Sequence, residues 1–161
     1  MAILCDVLRY LAAASLGIFA GAMLTEAGVL VTFWRSLAPA EFLRWYAANA
    51  QRLLAYFSPV TSVSAVLAIL AAVASLWQGH PGRWYALAAA VLAVVIVASF
   101  FVYFERANAS FAAATIALDA VPAELARWSA WHNVRTVLSL VALAASLLAL
   151  HVNMLDQVRD K

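Results

Sequence analysis

The sequence predicts an all-α integral-membrane protein, a four-helix bundle built as a single transmembrane domain from residues 1–161. Hydrophobic residues form 67% of the chain and charged residues only 11%, whereas water-soluble domains carry about 25% charged residues. Four apolar runs, at about 7–34, 56–77, 84–104 and 134–155, each reach the roughly 20 residues that cross a bilayer. Too few polar residues remain to cover a soluble core, so we expect the lipid bilayer to surround the protein.

A heptapeptide pattern occurs twice, 83 residues apart. PAEFLRW at 39–45 returns as PAELARW at 122–128, Arg52 returns as Arg135, and each copy precedes an apolar run. The pattern predicts two pseudo-repeated helical hairpins with amphipathic connecting helices. Chance similarity in an alanine-rich chain is the alternative. The two halves would be approximately residues 1–78 and 79–161.

The first helix combines a glycine stripe with a buried acid. Gly17, Gly21 and Gly28 share one side, a small-residue pattern that typically allows close helix packing. Glu26 lies on the opposite side, inside the apolar run, and a carboxylate facing lipid there would be costly. We therefore expect Glu26 to face a partner, a cavity or a proton. Further along, Pro59 predicts a kink or the start of a separate transmembrane helix.

The remaining connections carry turn and interface signals. QGHPG at 78–82 predicts a tight turn with a solvated His80. Glu105 and Asn108 follow the third span three residues apart, on one helical face. Tryptophans fall near the predicted span ends, a position typical of the interfacial aromatic belt. They are Trp34, Trp45, Trp77, Trp84, Trp128 and Trp131.

Two polar stripes mark a candidate site. One stripe, on the fourth helix, falls within an arc of roughly 100°; it comprises Trp128, His132, Arg135, Thr136, Ser139 and Ser146. The equivalent stripe leading into the second span is Trp45, Asn49, Arg52 and Tyr56. If the repeat is real, the two stripes face each other across a pseudo-twofold axis, with Glu26, Glu105 and Asn108 at a similar depth.

This polar cluster has two interpretations. In one it is structural: Arg52 and Arg135 pair with Glu26 and Glu105, and the cluster is closed. In the other it is a binding pocket that opens to one membrane face, because pockets between helices of a bundle commonly hold ligands. Aromatic residues at its rim would suit a flat, small hydrophobic ligand. These rim residues are Trp45, Tyr103, Trp128 and Trp131.

We expect no cofactor. His132 and His151 would lie about 28 Å apart along a helix, so they cannot ligate one heme iron together. A metal held by His132, Glu26 and Glu105 is conceivable, but carboxylates and imidazole alone are a weak signal. The net charge of +2 is too small to indicate a nucleic-acid partner, and the single Cys5 allows no internal disulfide. The glycine face of the first helix could also serve contacts in a homo-oligomer.

The segment WSAWHNVRT at 128–136 resembles the signature of a known family, the anthrone oxygenase-like family of small four-helix membrane proteins. The resemblance covers essentially the whole chain, including the glycine-rich first helix, the proline-led connection and Asn108. The polar pair reads His132-Asn133 here, whereas Asn-His order is expected in many relatives. This departure leaves the direction of His132 open. For a family member of this kind, the bacterial inner membrane is the expected location, with four spans.

The resemblance implies a reaction. Fungal members oxidise anthrones to anthraquinones with molecular oxygen, and acidic anthrones need no cofactor for this chemistry. His132 would then remove a proton, Glu26 or Glu105 would orient or relay it, and Arg135 and Arg52 would stabilise the developing oxyanion. Asn49, Asn108 and the aromatic rim would bind the substrate. The competing class is a non-enzymatic binding or assembly subunit with a closed, structural cluster; a carrier built from two repeats is a third.

Overall fold

A computed structural model describes residues 2–159, with side-chain surroundings from residue 3 to residue 152, and this part of the chain is helical with no strand. Its helices are α1 (Ala2–Thr25), α2 (Thr32–Ser36), α3 (Pro39–Trp77), α4 (Arg83–Ser99), α5 (Glu105–Ala112) and α6 (Val121–Arg159). Two π-helical segments lie between them: π1 (Glu26–Val31) joins α1 to α2, and π2 (Phe100–Phe104) joins α4 to α5.

The chain forms four long rods, each long and apolar enough to cross a membrane. They cover Ile3–Ser36, Pro39–Trp77, Arg83–Ala112 and Val121–Val152. Each rod packs beside its neighbours in sequence and the first packs beside the last, while α3 and α6 barely touch across the diagonal. This is the up-down-up-down arrangement of a four-helix bundle. The predicted fold class is confirmed, and the duplication of its halves stays a prediction.

The amphipathic connection and the second span form one helix. α3 runs without a break through Pro59, which is exposed on its outer side, so the predicted separate start at this residue is wrong. Pro39 occupies the first turn, where its missing N–H costs nothing. The Glu41 carboxylate accepts a hydrogen bond from the Ala38 backbone N–H at 3.3 Å. These residues therefore fix where the long helix begins.

The two ends of the bundle have different cores. Near the turn at 78–82, the helices pack through small residues of α3, α4 and α6, which allow close approach of the backbones. At the opposite end lies an aromatic cluster of large side chains. It includes Trp34, Phe42, Tyr46, Phe104, Phe111 and Trp128. Phe19, Met23 and Ile96 form a small apolar plug between these two cores.

Several local predictions need correction. Trp34 and Trp128 are buried in the aromatic cluster and do not belong to an interfacial belt, whereas Trp77 and Trp84 are largely exposed. His80 is buried and not solvated; its Nδ1 accepts a hydrogen bond from the Gly82 N–H at 3.0 Å. The tight turn therefore closes over its own histidine.

The glycine stripe of α1 and π1 packs less closely than its pattern predicts. A methyl group on Gly17 would contact Leu143 at 3.8 Å, as in ordinary helix packing. At Gly21 and Gly28 an added methyl group would meet nothing within 4 Å. The stripe thus faces open space over most of its length within this chain.

Candidate functional site

A cavity of about 380 Å³ lies where the aromatic cluster meets the membrane-spanning part of the bundle. It opens between α3 and the third rod, and its inner wall receives side chains from π1 and α6. Its volume falls in the range of small-molecule sites, about 300–1,000 Å³. Apolar side chains form most of the wall, with six larger polar groups among them. These groups are Glu26, Tyr46, Gln51, Glu105, Asn108 and Arg135.

Glu26 is the first residue of π1, where the backbone changes from α-helical to π-helical geometry. π-Helical turns are rare, and those that do occur are often found at functional sites. Its side chain is buried and lines the cavity, and Oε2 lies 3.5 Å from His132 Nδ1. Among the side chains that the structure describes, it is the only buried carboxyl. Of the partner, cavity or proton that Glu26 was expected to face, the structure places it against the cavity and beside His132.

His132 lies behind Glu26 and not in the cavity wall. Its side chain is completely buried, and the Trp128 ring stacks on it with centroids 5.1 Å apart. His132 Nε2 lies 3.1 Å from the Met23 carbonyl oxygen. A carbonyl can only accept a hydrogen bond, so Nε2 carries the hydrogen and Nδ1 faces the Glu26 carboxyl. His132 is therefore absent from the lining of this cavity, and its role as a base stays a prediction.

Arg135 presents a buried cation to the cavity. Its guanidinium lies over the Phe104 ring at 4.5 Å. Within the part of the chain whose side chains are described, it forms no ion pair, and its buried Nε has no hydrogen-bond partner. The structural interpretation expected Arg135 to form a salt bridge in a closed cluster, and the described side chains show no such salt bridge. An unpaired guanidinium in an apolar wall favours an electron-rich oxygen on a ligand.

Two further contacts shape the same cavity. The Trp128 indole N–H donates a hydrogen bond to Asn108 Oδ1 at 2.8 Å, which ties the fourth rod to the third. Tyr46 is buried between the aromatic cluster and the cavity. Sequence reasoning missed Tyr46 because it lies on the aromatic face of α3, beside Phe42 and away from the polar stripe.

The polar stripe of α3 does not face the stripe of α6. Trp45, Asn49 and Arg52 instead border a second groove of about 590 Å³ between α1 and α3, and Arg52 is exposed. A second buried cation at this depth would lack a counter-charge, because Glu26 is the one buried carboxyl described and Arg135 already lies near it. α3 therefore turns its aromatic face inward.

Tyr103 and Trp131 also lie apart from the cavity. Their rings stack with centroids 5.3 Å apart, and the Tyr103 hydroxyl donates to Glu124 at 2.8 Å. Of the predicted rim, only Trp128 lines the cavity. As for metal ligands, residues with described side chains include no group of three His, Cys, Asp or Glu arranged to hold an ion.

Comparison with known proteins identifies the family. No curated protein and no solved structure matches the chain significantly. A family model described as anthrone oxygenase matches residues 42–145, more than half of the 161 residues. The match includes Tyr46, Asn108 and Arg135 of the cavity, while Glu26 precedes it. By this match, and with four rods long and apolar enough to cross a membrane, the chain belongs to the anthrone oxygenase family.

Proposed function

We propose that this protein is a membrane oxygenase that oxidises a flat, apolar anthrone-type substrate without a cofactor. The observation that carries the proposal is that one buried carboxyl, Glu26, and one unpaired guanidinium, Arg135, line the same mainly apolar cavity. A base and a cation on the same cavity suit proton removal from a carbon that is conjugated with a carbonyl group. The family match supports the same reaction class.

The first step is proton abstraction by Glu26. Its carboxylate takes one proton from the methylene carbon of the substrate, and the electron pair spreads onto the carbonyl oxygen across the ring. Arg135, and the Tyr46 hydroxyl as a neutral donor, stabilise this oxygen as it becomes negative. Their attraction is strongest for the charge that develops in the reaction, so it lowers the barrier and does not merely tighten ground-state binding.

Molecular oxygen is the oxidant in the second step. It accepts the electron pair, and a carbon–oxygen bond forms at the former methylene carbon. The peroxide oxygen takes back the proton from Glu26. Glu26 then takes the second hydrogen of that carbon as a proton, the electron pair of the carbon–hydrogen bond forms the carbonyl bond, and the oxygen–oxygen bond breaks. The departing hydroxide takes the proton from Glu26 and leaves as water. The balance is one methylene group and one O₂ giving one carbonyl group and one water.

In this scheme His132 is a positioning residue. The Met23 carbonyl and the stacked Trp128 ring fix the imidazole, so that Nδ1 points at the Glu26 carboxyl from the side opposite the cavity. It orients the carboxyl and receives or returns its proton between steps. The roles expected for the pair are thereby exchanged: Glu26 meets the substrate, and His132 supports it.

The test uses two arginines that the sequence pattern makes equivalent. In detergent or nanodiscs, wild-type protein should consume one O₂ for each anthrone converted to quinone, measured with an oxygen electrode and by quinone absorbance. Arg135→Gln should lower kcat/KM by about 10²–10³, the usual effect of removing one oxyanion donor. Arg52→Gln, the matched control, should stay within twofold of wild type. Equal losses in both variants, or wild-type turnover no faster than spontaneous oxidation, would reject the proposal.

A further inference from the structure

The cavity has a side opening whose lips are exposed. Leu54 and Ser58 of α3 form one lip, and Phe101 of π2 and Glu105 of α5 form the other. Each of these residues lines the cavity and also faces outward; Leu54 is 50% and Phe101 67% exposed. Residues that only enclose an internal void are buried, so the exposure of these four residues indicates that the cavity opens to the outside here.

The opening lies at the level of one membrane boundary. Trp77 and Trp84 are exposed at the far end of the bundle and mark the other boundary, as interfacial tryptophans do. A hydrocarbon core of about 30 Å corresponds to roughly 20 helical residues. Counted from these tryptophans, the core ends near Phe57 on α3 and near Phe104 on the third rod. Ser58 and Phe101 then lie at its edge.

Packed side chains close the cavity towards both ends of the bundle. Towards the water-exposed end lies the aromatic cluster, with Trp34, Phe42 and Phe111 fully buried. Towards the centre of the membrane lies the plug of Phe19, Met23 and Ile96, against which Phe57 packs. A ligand that enters through either would have to displace fully buried side chains, at a cost of several kcal/mol. The side opening requires no such displacement.

We propose that this opening is a lateral portal through which a neutral, flat aromatic molecule dissolved in the bilayer enters the cavity. At its edge towards the membrane centre the opening is bordered by the apolar Phe101, and at its edge towards the headgroups by the polar Glu105 and Gln51. The lips therefore match a ligand whose polar edge lies among the headgroups while its rings lie in the hydrocarbon. This inference rests on the proposed function, because it names the physical source of that substrate.

The test measures ligand entry without turnover. Protein in phosphatidylcholine vesicles is mixed rapidly with anthraquinone, and quenching of tryptophan fluorescence is followed. Ser58→Trp narrows the portal, and Val66→Trp is the matched control, an added tryptophan on the same helix at an exposed position outside both cavities. Phe101→Ala widens the opening.

A portal governs rates more than equilibrium. Ser58→Trp should slow association and dissociation together by about tenfold, with Kd changed far less, while Val66→Trp behaves as wild type and Phe101→Ala is faster. If Ser58→Trp weakens Kd at an unchanged association rate, or if Phe101→Ala is no faster, the portal is refuted while the binding site stands. If anthraquinone does not quench the wild-type protein at all, the ligand class fails, and with it both the portal and the proposed function.

Discussion

Replacement of Glu26 by glutamine is the sharpest test of the proposed chemistry. Glutamine has nearly the same size and keeps the 3.5 Å approach to His132, but it cannot accept a proton. Loss of a general base typically costs 10²–10⁴ in rate, which corresponds to about 3–5 kcal/mol in activation free energy. We expect kcat to fall in that range with KM little changed, because the shape of the cavity is retained.

Glu105→Gln supplies the matched control. Glu105 borders the same cavity, but it is exposed and forms no ion pair within the described side chains. Because Glu105 borders the entrance and not the reacting carbon in this scheme, its replacement should leave kcat within about threefold of wild type, and any loss should appear in KM. The assay is anthrone-dependent oxygen consumption by purified protein, with folding checked by thermal unfolding in the same detergent. If Glu105→Gln loses activity and Glu26→Gln keeps it, the assignment of the base is wrong.

Three further substitutions separate packing from site geometry. Gly82→Ala should destabilise the protein by about 1–3 kcal/mol, because its methyl carbon would come 2.8 Å from the Ala149 Cα. Gly21→Ala faces open space within α1, where alanine is favoured over glycine by about 1 kcal/mol, so its melting temperature should equal or slightly exceed that of wild type. Equal melting temperatures of the two variants would contradict this. Trp128→Phe keeps a ring for stacking but loses the 2.8 Å hydrogen bond to Asn108, so stability should fall by about 0.5–1.5 kcal/mol, with KM rising more than kcat falls in steady-state kinetics.

The polar stripe of α6 could be predicted because its helical period stands out against an apolar background. His132, Arg135, Thr136 and Ser139 are all buried, as their shared face indicated. A charged side chain on a membrane-spanning helix costs less free energy when it faces the interior of the bundle than when it faces lipid. The inward placement of Glu26 follows from the same rule.

The polar stripe of α3 was predicted to face the stripe of α6, and this prediction is wrong for a physical reason. α3 extends well beyond the apolar run of its second half, so Arg52 lies near the membrane boundary, where exposure costs little. The competing face carries Phe42 and Tyr46, whose rings pack at 5.7 Å and fill the aromatic cluster. Helical periodicity gave the spacing of these residues correctly. It could not decide which of two adequate faces would turn inward.

The two π-helical segments make the site sensitive to chain length. A π-helical turn accommodates one more residue than an α-helical turn, so each segment behaves like a single-residue insertion in an otherwise regular rod. Removing one residue from Glu26–Val31 would restore α-helical geometry, so the side chains within the segment would change direction locally while α1 and α2 keep nearly the same relative rotation. When relatives of this chain are aligned, a one-residue gap in either segment would therefore signal a reoriented cavity wall, even where every polar residue of the site is retained.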